Sequence, residues 1–176
     1  MFKTAVFDIE TSQLDGSYGR ILCVGFKEYK KKPIIVEVPS LKEERHALKE
    51  IRDLWDSFDI VMGWNSLLFD VPMLNARYLR YAMNVLPTKK HVDLMWIHKH
   101  YARTRGHRLA GVASDLGVET VKFEPGAECW QIAAESGHPE HKAALAKVVK
   151  HNYYDLIMTE EVAEKLKPLV GSIQKR

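Results

Sequence analysis

The sequence predicts a mixed α/β fold in which one five-stranded sheet carries helices on both faces. Three β-prone segments at the start of the chain are separated by turn residues, which predicts an antiparallel meander. Helical segments and two further short apolar strands follow, and this order is typical of a sheet that continues in parallel. The antiparallel start argues against a plain dinucleotide-binding fold, and the chain has no GxGxxG or Walker A sequence.

The elements follow from local pattern. Ser40, with Glu43 three residues later, marks the start of the first helix. Gly117 closes a short helix, and Pro168 with Gly171 ends the longest one. The strands are expected at residues 4–9, 20–29, 33–38 and 60–64 and around Val92. Helices are expected at residues 40–57, 69–84, 109–116 and 139–167, and a further helix is expected to contain Met95, Trp96 and Tyr101. Residues 124–139 are expected to form an ordered loop. Trp55, Trp96 and Trp130 are expected to fill the core.

Length and composition indicate one ordinary globular domain. The chain has 176 residues, of which 46% are hydrophobic and 28% charged, so disordered and fibrous classes are excluded. No apolar run approaches the roughly 20 residues that span a bilayer, and the start resembles no signal peptide. Cys23 and Cys129 lack metal-binding spacing and are predicted to be reduced core residues. We therefore expect a cytoplasmic protein with no membrane partner.

Positive charge concentrates in one segment. The formal net charge is only +3, but residues 98–108 (HKHYARTRGHR) contain Lys99, Arg103, Arg105 and Arg108 with three histidines. Such a run is typical of a loop that contacts phosphates. A solvated loop between two helices is the alternative.

Asp8 and Glu10 form the first of three acidic motifs. They stand two residues apart at the end of an apolar strand, so both side chains project from the same face. Two adjacent negative charges repel each other unless a cation lies between them. The pattern therefore indicates a site for a hard divalent cation such as Mg²⁺ or Mn²⁺. An exposed strand edge is the alternative.

Asp70 belongs to the second motif, GWNSLLFDVPML. It opens a helix directly after an apolar strand, where an interaction with the helix dipole is the alternative explanation of a carboxylate. Asn65 and Phe69 precede it in the same loop. A polar contact, an aromatic ring and an acid together suit the terminal nucleotide of a nucleic acid.

Asp155 lies in the third motif, KHNYYDLIMT. His151 precedes it by one helical turn and Thr159 follows by one, so the three share a face of the longest helix. An exposed His–Asp pair is the alternative.

Three blocks, FDIET, WNSLLFDVPML and NYYDLIMT, occur in the order of the exonuclease motifs of the DEDD (DnaQ-like) superfamily, which the chain resembles. That superfamily has a ribonuclease-H-like fold. The chain is most similar to predicted exonucleases akin to the proofreading domain of family-B DNA polymerases, and HVDLMW and RLAGVASDLGV support this branch. The resemblance covers nearly the whole chain.

The resemblance implies that Asp8, Glu10, Asp70 and Asp155 bind two divalent ions, Mg²⁺ or Mn²⁺. Asp8 would bridge both ions, Glu10 and Asp155 would complete the site that activates water, and Asp70 would hold the second ion. The substrate residues that it implies, together with the basic run, are Thr11, Ser12, Asn65, Phe69, Arg103 and Arg105.

His151 departs from the family pattern. In the tyrosine branch a Tyr stands four residues before the last Asp, and in the histidine branch a His stands five before. Here His151 stands four before Asp155, and Lys150 occupies the position five before. A neutral imidazole there could accept a proton from the attacking water, so we hypothesise that His151 replaces the tyrosine as base or water-orienting group.

Together these patterns predict a metal-dependent 3′–5′ exonuclease that acts on single-stranded nucleic acid, DNA in preference to RNA. A DNA polymerase or another replication or repair protein is the expected protein partner. An RNA exonuclease or a structure-specific endonuclease on the same fold is one alternative. A nucleic-acid-binding or polymerase-associated subunit with weakened catalysis is the alternative of another class.

Overall fold

A computed structural model describes residues 2–16, 19–102 and 104–173 and contains one mixed sheet of five strands. The strands lie in the order β3-β2-β1-β4-β5, with β1, β2 and β3 antiparallel and with β4 and β5 parallel to β1. The predicted fold class is confirmed. The strand bounds are Thr4–Thr11 (β1), Ile21–Glu28 (β2), Ile34–Glu37 (β3), Ile60–Gly63 (β4) and Lys90–Asp93 (β5).

Six helices occur within the described residues. Their bounds are Leu41–Asp56 (α1), Asp70–Arg80 (α2), Leu94–Tyr101 (α3), Leu109–Asp115 (α4), Glu128–Ala134 (α5) and His141–Ile173 (α6). None of the described helices combines the length and the apolar character that crossing a membrane requires.

Side-chain alternation along β1 separates the core from the polar face. Phe7 and Ile9 lie in a buried cluster with α1 and α2. Asp8 and Glu10 occupy the alternate positions and therefore face the other side of the sheet, against which α6 packs. Helices thus cover both faces, and the acidic pair points to the α6 side. The first cluster includes Leu48 and Ile51 of α1 with Leu74 and Tyr78 of α2.

Two further clusters attach the remaining helices to the sheet. Cys23 of β2 packs with Cys129 and Ala133 of α5 and with Leu145 of α6. Both cysteines are buried and free, as predicted. The third cluster joins α3, α4 and α6 through Leu94, Val112, Met158 and Val162.

Two element predictions were wrong. Residues 128–134, expected in a loop, form α5 because Cys129 and Ala133, one turn apart, bury themselves against α6. The longest helix continues through Pro168 to Ile173. Proline removes one backbone hydrogen bond, but Leu166 and Leu169 on either side pack into the third cluster, so tertiary packing outweighs the local break.

The three tryptophans that were expected in the core differ from one another. Trp55 is buried in the core, as predicted. Trp96 is half exposed, so the core prediction was wrong for this residue. Trp130 packs partly against the second core cluster and donates its indole N–H to a carboxylate. Ser40 occupies the predicted N-cap position of α1, but its hydroxyl donates to the Glu43 carboxylate rather than accepting from the backbone.

Candidate active site

The structure brings the four predicted acids together at the carboxyl end of β1. Asp8 and Glu10 extend from β1, Asp70 is the first residue of α2, and Asp155 lies on α6. The pairing between β1 and β4 ends at Val6, and beyond it the backbone N–H of Ile9 donates to Oδ1 of Asp70 at 3.2 Å. This bond holds the Asp70 carboxylate against β1.

Burial disfavours the ionised forms of all four acids, and repulsion within the cluster adds to this effect for Asp8 and Glu10. Burial raises the pKa of Glu10 to about 8 and that of Asp70 to about 7. Burial, followed by repulsion from Asp70, Glu10 and Asp155, raises the pKa of Asp8 well above its usual range. Burial also raises the pKa of Asp155. A bound cation would relieve this penalty.

Asn152 of α6 positions Asp8. Its amide Nδ2 donates to Oδ2 of Asp8 at 2.8 Å and to the backbone oxygen of Asp8 at 3.2 Å. The helix comes this close to the sheet because β2 has Gly25 opposite Asp8, and a Cβ at Gly25 would lie 2.2 Å from Oδ1 of Asn152. The sequence signal for Asn152 is a polar residue within the apolar stripe of the long helix.

His151 turns one ring nitrogen toward the acids. Its Nδ1 lies 2.5 Å from the carbonyl oxygen of Phe123, and because a carbonyl only accepts, Nδ1 carries a proton. Nε2 lies 3.6 Å from Oε1 of Glu10 and 3.6 Å from Oδ2 of Asp155. In the neutral ring Nε2 is therefore an acceptor that faces the acidic cluster.

A divalent cation fits the donor set. Glu10, His151 and Asp155 offer ligand atoms that all lie within 4.8 Å of one another. In the described part of the chain, the buried Oδ1 of Asp155 has no hydrogen-bond partner. The carboxylate oxygens of Glu10 and Asp155 suit Mg²⁺ and Mn²⁺ better than a thiophilic metal.

Comparison with known proteins agrees with this geometry. The family model that matches the chain describes the RNase_H superfamily and covers residues 5–167. The chain belongs to the RNase_H superfamily. The ribonuclease-H-like fold expected from the three motifs is confirmed, and membership of the RNase_H superfamily supports a nuclease function. A search of curated proteins finds no match.

One similar solved structure is the family B DNA polymerase from the hyperthermophilic archaeon Pyrobaculum calidifontis. It superimposes with a TM-score of 0.73 over 96% of this chain, at 18% sequence identity. The match covers 25% of the polymerase chain. The likeness therefore concerns the fold, and it agrees with the family-B resemblance expected from the sequence.

Two further residues complete this RNase_H superfamily site. Nζ of Lys122 lies 3.7 Å from Oδ2 of Asp155, and its charge counteracts the rise in the pKa of both Asp155 and Glu10. Nε1–H of Trp130 donates to Oε2 of Glu10 at 2.8 Å. Sequence reasoning missed both, because neither lies in one of the three motifs.

The predicted substrate residues of the RNase_H-like site differ in their surroundings. Asn65 leaves β4 in a left-handed conformation (φ 60°), and its N–H donates to Asp93. Phe69 stands directly before α2 and packs partly against the first core cluster. Both residues therefore lie in the loop that joins β4 to Asp70 at the start of α2.

The remaining four predicted residues lie elsewhere or already have protein partners. The Thr11 hydroxyl donates to the Gln13 carbonyl. The Ser12 N–H donates to the carbonyl of Arg20 at 3.0 Å, so this amide is engaged within the chain. Arg105 is fully exposed and pairs with Asp115 at 3.1 Å. Arg103 lies outside the described residues.

Proposed function

We propose that this chain is a metal-dependent 3′–5′ exonuclease that hydrolyses phosphodiester bonds at the 3′ end of single-stranded nucleic acid, DNA in preference to RNA. The observation that carries the proposal is the convergence of Asp8, Glu10, Asp70 and Asp155 with His151 at one end of the sheet. Burial raises the pKa of each of the four acids, which is the electrostatic state expected of a site built for cations.

The four acids would hold two divalent ions, Mg²⁺ or Mn²⁺. When bound, the ions would supply an activated water and neutralise charge on the departing 3′ oxygen. Asp8 lies among the other acids and would bridge the two ions. Asp155 and Glu10 would complete the ion site next to His151, and Asp70 would complete the other.

His151 would accept the proton of the attacking water at Nε2. The hydrogen bond from Nδ1 to the Phe123 carbonyl supports this role, because it keeps the acceptor nitrogen turned toward Glu10 and Asp155. Lys122 would stabilise the negative charge that gathers at Asp155.

The Asn65–Phe69 loop would bind the terminal nucleotide. Asn65 would contact the sugar or base and Phe69 would pack behind it, next to the cation site at Asp70. Backbone groups of Thr11 and Ser12 would lie near the same nucleotide, and Arg103 and Arg105 would contact phosphates. A DNA polymerase or another replication or repair protein is the proposed partner, a choice supported by the fold shared with a family B DNA polymerase.

Degradation of 5′-labelled single strands tests the proposal. DNA and RNA of one sequence are incubated with Mg²⁺, Mn²⁺, Ca²⁺ or a chelator, and the products are separated by length. Wild type is compared with Asp8→Asn and with Asp53→Asn, a matched control that removes an exposed acid from α1. We expect a ladder that shortens one nucleotide at a time, faster on DNA, with Mg²⁺ or Mn²⁺ in wild type and Asp53→Asn alone.

Several outcomes would overturn the proposal. Internal cuts would indicate an endonuclease, immediate release of a labelled mononucleotide would indicate the opposite polarity, and faster RNA shortening would reverse the sugar preference. Activity that survives the chelator or Asp8→Asn would remove the metal site from the mechanism. Binding of single strands without any cleavage would favour a subunit with weakened catalysis.

A further inference from the structure

We propose that the exposed surface formed by Trp96, Lys99 and His100, next to Asn65, is a stacking subsite for nucleotides on the 5′ side of the terminal nucleotide. This inference rests on the proposed function, because it extends the path of the same single strand beyond the cleft. The surface is named here the α3 platform, after the helix that carries its three residues.

The rings of the α3 platform are exposed and already ordered. Trp96 is 50% exposed, whereas Trp55 is buried in the core. The His100 ring stacks on Trp96 with centroids 4.2 Å apart and planes at 28°. Nδ1 of His100 lies 2.7 Å from the Trp96 carbonyl, which holds the stack in place. A rigid, exposed aromatic face is a platform on which any base can stack.

A cavity connects the platform to the loop of the terminal nucleotide. Its volume is about 460 Å³, and its lining includes Asn65 and Leu68 of the loop together with Trp96, Lys99 and His107. Leu68 is 78% exposed and presents an apolar edge beside the rings. The cavity therefore starts at the residue expected to contact the terminal nucleotide and leads to the aromatic surface.

Asp93 fixes the loop and the platform relative to each other. Its Oδ1 accepts from the backbone N–H of Asn65 and from that of Trp96, each at 3.2 Å, and its Oδ2 accepts from Leu67 N–H at 3.1 Å. Both carboxylate oxygens of Asp93 thus accept from backbone amides. These bonds offset the charge of Asp93, which is the one negative charge among the described residues that line the cavity. The loop and the platform are consequently held as one preorganised surface.

The charge of this surface suits a polyanion. Lys99, His100 and His107 line the cavity, and Arg108 is exposed next to His107. Lys99 and Arg108 carry the positive charge, and cations beside exposed rings match the alternation of phosphates and bases along a single strand. An apolar protein partner would not require these cations, so a single strand is the occupant that the chemistry favours.

Two substrates of different length test the subsite. The ester thymidine 5′-(4-nitrophenyl phosphate) fills only the terminal position, whereas an oligothymidylate also reaches the α3 platform. We expect Trp96→Ala to lower the ratio of kcat/KM for the oligothymidylate to that for the ester by roughly 5- to 100-fold, the effect of losing one stacked base. Trp96→Phe should restore most of the ratio, because a ring remains.

The matched control is Tyr29→Ala. Tyr29 is an exposed aromatic residue whose N–H pairs with Thr4, at the opposite end of β1 from the acids. Its replacement should leave the ratio at the wild-type value. Thermal midpoints near that of wild type confirm that each variant is folded.

An independent test measures the Kd of a fluorescently labelled oligothymidylate in the presence of a chelator, which prevents hydrolysis. Lys99→Gln should reduce the slope of log Kd against log salt by about 0.7, the value for one phosphate contact on a single strand. Trp96→Ala should weaken binding and leave that slope unchanged.

The outcomes separate the two proposals. Wild type that hydrolyses neither substrate would overturn the proposed function. If wild type is active and folded Trp96→Ala has the same kcat/KM ratio and the same oligothymidylate affinity as wild type, the α3 platform alone is overturned. That result would leave this surface to a protein partner.

Discussion

The indole N–H of Trp130 donates a hydrogen bond to Oε2 of Glu10 at 2.8 Å, and the same ring meets His151 edge to face at 5.2 Å. One side chain of α5 therefore contacts both the β1 acid and the α6 imidazole. The bond stabilises the ionised carboxylate and partly counteracts the burial that raises the pKa of Glu10.

Trp130→Phe should slow hydrolysis by roughly 10- to 150-fold, because a hydrogen bond to a charged group contributes about 1.5–3 kcal/mol. The phenyl ring retains the contact with His151 but offers no hydrogen-bond donor, so the pKa of Glu10 should rise further. The specific measurement is therefore the pH–rate profile, whose rising limb should shift to higher pH. Profiles of the two proteins that superimpose would contradict the role given to this bond.

His151→Phe should reduce kcat by roughly 10²- to 10⁴-fold, the usual contribution of a general base. Tyr29→Phe is the control, because Tyr29 is exposed and lies at the opposite end of β1 from the acids. Should His151→Phe keep the wild-type rate, the base must be sought at Tyr153 or Tyr154.

Gly25→Ala should destabilise the fold by about 1–3 kcal/mol and also impair catalysis. The added Cβ would lie 2.2 Å from Oδ1 of Asn152 and 2.4 Å from Cδ1 of Leu156, which forces α6 away from the sheet and Asn152 away from Asp8.

Gly111→Ala is the matched control for this substitution. Gly111 lies within α4 and has open space around the position of its Cβ, so alanine should stabilise by about 0.5–1 kcal/mol. Urea unfolding gives both free energies, and equal effects of the two substitutions would refute the close approach of α6 at Gly25.

The free energy of unfolding of the metal-free protein should fall as pH rises from about 5 to about 8. Glu10, with a pKa of about 8, and Asp70, with a pKa of about 7, keep their protons in the folded state after the unfolded chain has lost them. Since the folded state then binds more protons, higher pH favours unfolding. Glu10→Gln should flatten this dependence, as urea titrations at several pH values would reveal.

Mg²⁺ or Mn²⁺ should raise the thermal midpoint, and by more near pH 8 than near pH 6. Fewer protons must be displaced at the higher pH before the acids can bind a cation. A midpoint that does not respond to either metal, or an effect unchanged in Asp8→Asn, would count against the cation site.

The sequence by itself determined the local geometry of the acids. A strand places Asp8 and Glu10 on one face, and helical spacing places His151 one turn from Asp155, because both periodicities are properties of the backbone alone. The order of the three motifs likewise predicted the fold. Cys23, Cys129 and Trp55 were correctly placed in the core because apolar surroundings along the chain matched apolar surroundings in space.

Only the tertiary structure decided which distant residues complete the site. Trp130 stands 120 positions from Glu10, and Asn152 stands 144 from Asp8, so no local pattern links either pair. The exposure of Trp96 and the passage of α6 through Pro168 have the same origin. An amphipathic pattern indicates which face of a helix is apolar, but only the packing between elements decides whether that face is covered.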